Sequence, residues 1–109
     1  MKDYTVPFAI QAMLGDRAHA FCERELPRVG YRYCPDARGK FIYLLRLWPD
    51  GSFRRLGRLT YEGDTERMAF AIFKFSSGKY DSQYQWFPGS QYLNGTIEGA
   101  LRALTEAYP

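Results

Sequence analysis

The sequence predicts an α+β fold: an antiparallel sheet of three to four strands, with an N-terminal and a C-terminal helix packed on one face. Three observations carry that expectation. Apolar residues recur at three-four spacing near both ends of the chain. Between them lie short runs rich in β-branched and aromatic residues. Two of those runs are separated by Pro49-Asp50-Gly51-Ser52, which is hairpin chemistry.

The first helix is read from Ile10, Met13, Leu14, Ala18, Phe21, Cys22 and Leu26, one apolar face at helical spacing. Thr5 offers a cap and Pro7 suits a first turn. Gly15-Asp16 interrupts the pattern, so either one helix tolerates the glycine or Asp16 caps a separate helix with Phe8 to Leu14 extended. Pro27 and Gly30 stop it. Tyr31 to Cys34 is a short strand candidate or part of an irregular entry, and Pro35-Asp36-Ala37-Arg38-Gly39 reads as turn. Lys40 to Trp48 is the clearest strand. Phe53 to Tyr61 is its return, with Asp50-Gly51 as a two-residue turn that sets Trp48 against Phe53 and Arg46 against Arg55. Glu62 to Glu66 is a polar loop, Arg67 to Ser76 a third strand, Ser77-Gly78-Lys79 a turn, and Tyr80 to Phe87 a fourth strand. Pro88-Gly89-Ser90 ends the sheet. Asn94 or Thr96 then caps a last helix whose buried stripe is Ile97, Ala100, Leu101, Leu104, Ala107 and Tyr108, with Glu98 in its first turn, where the dipole favours an acid.

A hairpin register sorts residues by face. One face receives Ile42, Leu44, Arg46 and Trp48 with Phe53, Arg55, Gly57, Leu59 and Tyr61. If the third strand pairs symmetrically across its loop, Ala69, Ala71, Phe73 and Phe75 join them. The small residues among these make room for both helices. The second face receives Phe41, Tyr43, Leu45 and Leu47, Arg54, Leu56, Arg58 and Thr60, and Met68, Phe70, Ile72 and Lys74. Neither face is polar, which is unusual for an antiparallel sheet with one wet side. The helices shelter only one of them. The Tyr31–Cys34 segment, the Tyr84-Gln85-Trp86-Phe87 segment, a second subunit or a ligand is expected to cover the other.

With 109 residues, 46% of them hydrophobic and 25% charged, residues 1–109 form a single domain able to close a core without staples. No leader and no apolar run of transmembrane length is visible, so a cytoplasmic, non-membrane protein is expected. Cys22 and Cys34 make no zinc or CxxC pattern, and neither metal nor cofactor is expected. The net charge of +3 is unevenly spread: Arg28, Arg32, Arg38, Lys40, Arg46, Arg54, Arg55 and Arg58 stand against only Asp36 and Asp50 between residues 26 and 58.

Catalytic readings are weak. His19 lies off the apolar stripe without a placed partner. Ser76-Ser77-Gly78-Lys79 lacks the full phosphate-loop pattern and joins two strands. Glu62, Asp64 and Glu66 are too closely spaced for an EF-hand. His19 and Cys22 share a helix face but supply only two ligands. No enzymatic activity and no small-molecule substrate is expected.

The feature with functional content is the aromatic-basic second face. Phe41, Tyr43, Arg54, Arg58, Phe70, Lys74 and Trp86 are the candidate contact residues. The bland alternative makes the rings core and lets the arginines lie around it. A non-catalytic domain that binds a protein partner or a second copy of itself is the first expectation. Nucleic-acid binding through the arginine-rich stretch 28–58 is the alternative, since sheet aromatics stack bases and arginines neutralise phosphates.

The helix–strands–helix order resembles a double-stranded-RNA-binding domain, but the last helix begins Gly95-Thr96-Ile97-Glu98-Gly99, without that family's lysines. Ala69-Phe70-Ala71-Ile72-Phe73-Lys74-Phe75 resembles the aromatic strand of an RNA-recognition motif, without its basic-glycine opening or its element order. From about Arg58 to Pro109 the chain resembles small uncharacterised bacterial proteins that share an RLTYEGD loop, an FAIFKF strand, WFPG and a closing GTIEGALRALTEAYP helix. That resemblance implies a bacterial source and no activity.

Overall fold

A computed structural model describes residues 4–83 and 86–109. Helix α1 (Phe8–Glu25) is followed by strands β1 (Arg32–Arg38), β2 (Phe41–Leu47), β3 (Phe53–Thr60), β4 (Ala69–Lys74) and β5 (Lys79–Asp81). A 3-10 turn, Ser90–Tyr92, then leads into α2 (Ile97–Ala107). The strands form one antiparallel meander in the order β1-β2-β3-β4-β5. The fold is α+β with a helix at each end, and the sheet has five strands rather than three or four.

The additional strand lies at the N-terminal edge. The predicted turn 35–39 is instead the second half of β1, in register with β2 from Arg32↔Leu47 to Arg38↔Phe41. Pro35 is tolerated there because an edge strand pairs on one side only, so a missing N–H can face outward. The turn shrinks to Gly39-Lys40, with Gly39 at φ +61°. At the other edge β5 is three residues long. Of the predicted strand Tyr80 to Phe87, Tyr84 and Gln85 lie outside the described residues.

Helix α1 runs unbroken through Gly15, and Pro7 rather than Thr5 precedes it, with no side-chain cap. Leu14, Ala18, Phe21 and Cys22 are its buried face. In α2, Thr96 caps by accepting from the Gly99 N–H, and Ile97, Ala100, Leu101, Ala103 and Leu104 are buried. The core joins these residues to Ile42, Leu44, Leu59 and Ile72, all nearly inaccessible on one face of the sheet. Arg17 clamps the helices: its guanidinium donates to Glu98 at 2.6 and 2.7 Å and to Glu66 of the β3–β4 loop at 2.9 Å. Arg17 holds both carboxyls below the usual range. Arg102 adds a bond to Glu25 at 2.6 Å.

Two one-residue shifts revise the predicted register. The β2–β3 loop keeps Trp48 paired with Ser52, since the Trp48 N–H donates to the Ser52 carbonyl at 2.9 Å and the Gly51 N–H to the Trp48 carbonyl at 3.0 Å. Gly51 takes φ +89° while Asp50 stays at negative φ, the signature of a three-residue loop with a glycine bulge. Arg46 therefore faces Arg54, and Leu47 faces Phe53. A second bulge follows, with Leu44 opposite Gly57 but Leu45 opposite Arg55, leaving Leu56 between. It restores the predicted pairing of Ile42 with Leu59. The face assignment thus holds from Gly57 to Thr60 and reverses from Phe53 to Arg55. Leu56, expected on the second face, is buried.

Strand β4 is slipped by one residue from the symmetric expectation, with Leu59 opposite Phe70 and Thr60 opposite Ala69. Phe70 and Ile72 therefore lie under the helices, and Ala69, Ala71 and Phe73 lie on the other face. Burial favours this choice. Enclosing Phe and Ile removes far more apolar area from water than enclosing two alanines. The odd residue is absorbed in the loop, where the Tyr61 N–H bonds the Lys40 carbonyl and the Met68 N–H bonds the Gly95 carbonyl, both at 2.8 Å.

A cationic aromatic sheet face as candidate functional site

The register defines the face that the helices leave open. Along β2 it carries Phe41, Tyr43, Leu45 and Leu47; along β3, Phe53, Arg55, Arg58 and Thr60; along β4, Ala69, Ala71 and Phe73; and on β5, Tyr80. Of its rings, Phe41, Tyr43, Phe73 and Tyr80 are partly exposed, and Phe53 is 55% exposed. The rings form a connected row. Phe41 lies 6.2 Å from Tyr43, Tyr43 5.6 Å from Tyr80, and Tyr80 5.1 Å from Phe73. Phe75, 49% exposed, continues the row around the end of the sheet at 5.1 Å from Phe73.

Cations lie on these rings. The Arg58 guanidinium is 4.3 Å from the Phe41 centroid and 5.0 Å from that of Tyr80. Arg55 is 5.8 Å from Tyr43, Arg54 5.7 Å from Phe75, and the Lys40 ammonium 5.4 Å from Phe41. Stacking on a ring face stabilises a cation without neutralising it. None of these four has an ion pair with a described residue. On β1, Arg38 bonds Asp36 at 3.0 Å, and Arg32 reaches round the edge to Glu23 at 2.9 Å. Beneath the ring row, the Arg58 Nε and the Tyr80 hydroxyl are shielded and without a hydrogen-bond partner among the described residues. Burial pushes the Tyr80 hydroxyl above its ordinary pKa, against the opposing pull of Arg55 and Arg58.

Of the seven residues singled out from sequence, the structure brings Phe41, Tyr43 and Arg58 together on this face. Arg54 stands at its rim, turned toward the helix side by the hairpin loop. Phe70 and Lys74 do not belong to it. The Phe70 ring packs 6.0 Å from Phe87 under the helices, and Lys74 pairs with Asp81 at 3.3 Å. Trp86 is 88% exposed on the loop before Phe87, and it is Phe87 that is buried. Sequence reasoning counted Arg55 in the basic stretch but placed it, with Phe73, on the helix side, and it did not single out Tyr80. Leu56 and Leu59 could have pointed to Arg55, because two apolar residues three apart cannot share a face of an unbulged strand.

The remaining motifs resolve as ordinary structure. His19 is exposed, with Nδ1 3.2 Å from Arg32 Nη2. Cys22 is buried and its sulfur accepts from the Tyr33 N–H at 3.3 Å, while burial raises the Cys34 thiol above its ordinary pKa. Ser76 to Gly78 is a turn closed by the Gly78 N–H on the Lys74 carbonyl at 2.8 Å. Among the described residues no three His, Cys, Asp or Glu side chains gather as a metal site, and no helix is long and apolar enough to cross a membrane. No protein-family model matches the chain, and neither a curated protein nor a solved structure matches it.

Proposed function

We propose that this chain is a non-catalytic binding domain whose open sheet face takes single-stranded nucleic acid. The reading rests on one observation: Lys40, Arg54, Arg55 and Arg58 lie on or beside a row of partly exposed rings and form no ion pair with a described acid, Asp36 of the same face being bonded to Arg38. The charge balance separates this partner from a second copy of the chain. Two such faces brought together would juxtapose like charges, which disfavours association. A single strand supplies what the face lacks, phosphates for the guanidinium groups and flat bases for the rings and the stacked guanidinium planes.

The test is the salt dependence of binding to a fluorescently labelled oligouridylate, followed by anisotropy. If three to four phosphates are neutralised, log K should fall against log salt with a slope of about −2 to −3. Replacing Arg55 and Arg58 together by Gln should make that slope shallower by about 1.4. Tyr43→Ala should weaken binding by about 1–3 kcal/mol through lost stacking, with the slope little changed. Absent or salt-insensitive binding would overturn the proposal. So would a dimer in sedimentation that Tyr43→Glu splits, since that result assigns the face to a second copy.

A further inference from the structure

We infer a second binding site on the other side of the sheet, an open cleft that takes a small carboxylate with an aromatic body. The cleft, about 780 Å³, lies between the β2–β3 hairpin and the end of α2. That volume is within the usual range for small-molecule sites. Its lining brings Arg46 and its cross-strand neighbour Arg54 together with the rings of Trp48, Phe75 and Tyr108, and with Asp50 and Ser52 of the hairpin turn.

Arg46 is the reason to expect an anion. It is only 5% exposed and is the one charged side chain in the buried set of the described residues. Buried charges are normally paired. Among the described residues Arg46 has only neutral partners. Its Nη2 donates to the Tyr33 hydroxyl at 2.7 Å and to the Leu104 carbonyl at 3.5 Å, and its guanidinium lies 4.0 Å from the Tyr31 ring centroid. Its Nε has no partner among the described residues, and no described carboxylate forms an ion pair with it. The acidic side chain in the lining, Asp50, is committed to its own turn, where one oxygen accepts from the Ser52 N–H at 2.9 Å and hydroxyl at 2.6 Å. A second unpaired cation, Arg54, faces the same space while resting on Phe75. Two guanidinium groups in an aromatic-walled cleft fit a carboxylate whose ring lies between Trp48, Phe75 and Tyr108.

The probes are phenylacetate, its neutral isostere phenylacetamide, and inorganic phosphate, each titrated into isotopically labelled protein and followed by amide and indole resonances. Phenylacetate should give saturable shifts at Arg46, the Trp48 indole and Phe75. Phenylacetamide should bind roughly ten- to a hundredfold more weakly, the loss expected for a charge-assisted hydrogen bond. Phosphate should bind more weakly than phenylacetate, because it leaves the aromatic walls unused. Arg46→Met removes the anion partner but also an interior hydrogen bond. Ala107→Trp is therefore the companion variant; it fills the cleft, keeps Arg46 and its bonds, and should abolish the phenylacetate shifts. Equal affinity for acid and amide, no saturable shift, or undiminished binding by Ala107→Trp would each overturn the inference. Arg55→Gln with Arg58→Gln should leave phenylacetate binding intact, so this result stands or falls apart from the nucleic-acid reading.

Discussion

Arg46 and Tyr33 show how one buried cation is accommodated. Arg46 donates to the Tyr33 hydroxyl, and Thr105 donates to the Leu101 carbonyl at 2.9 Å, which leaves Thr105 Oγ1 to accept from Tyr33 at 2.9 Å. The three side chains thus form a directed chain ending on the α2 backbone, and each bond polarises the next. Burial pushes the Tyr33 hydroxyl from 10.0 to about 12, against the pull of Thr105 and Arg46. Because the folded value is the higher one, the stability linked to this group is complete below pH 10 and is lost as pH rises through about 12. The loss is on the order of 2 kcal/mol. A tyrosinate absorbance titration of the wild type against Tyr33→Phe should show the missing component titrating near the top of the curve. A missing component at the ordinary tyrosine position would contradict the burial. That position 46 lies on the helix side was legible from strand alternation. That its charge is enclosed without an acid was not, because enclosure comes from Tyr31, Tyr33 and Leu104, which are distant in sequence or outside β2.

At the level of elements, the helices and hairpins were legible and the registers less so. The apolar stripe of α2 and the Thr96 cap were visible in sequence, and the α1 stripe survived Gly15, whose open surroundings make it only a local propensity cost. Strand pairing depends on single-residue choices at the loops. The glycine bulge at Gly51 and the bulge at Leu56 are opposite shifts, so the pairing of Ile42 with Leu59 came out as expected while Arg54 and Arg55 exchanged faces. The slip of β4 was hidden because an eight-residue connection has no turn signature to fix its register. Gly57 is the residue that this slip makes indispensable. A Cβ there would sit 2.7 Å from Phe70 Cε2 and 3.3 Å from Leu104 Cδ1. Gly57→Ala should therefore destabilise by about 1–3 kcal/mol in urea unfolding, by overpacking. Adding Phe70→Leu should recover part of that loss. A neutral or stabilising Gly57→Ala would mean that Phe70 is not under the helices.

On the scale of the molecule, two helices cover one side of a five-stranded sheet and the other side keeps its rings and arginines in the open. Covering the helix side uses Phe70, Ile72 and Leu56, and the alternation of the strands then delivers Phe73, Arg55 and Tyr80 to the opposite side. The binding face is thus a consequence of how the core was filled. Its existence was legible from two apolar sheet faces and only two helices; its membership was half legible, because each register shift replaces one side chain by its neighbour. The most direct measurement is solvent accessibility of individual rings in the isolated protein, by relaxation from a soluble gadolinium chelate in NMR. Ring protons of Phe41, Tyr43, Phe73 and Tyr80 should broaden strongly while those of Phe21 and Phe87 stay sharp, and saturating oligouridylate should protect the first set. Rings on the sheet face as sheltered as Phe21 in the protein alone would contradict an open face and everything proposed for it.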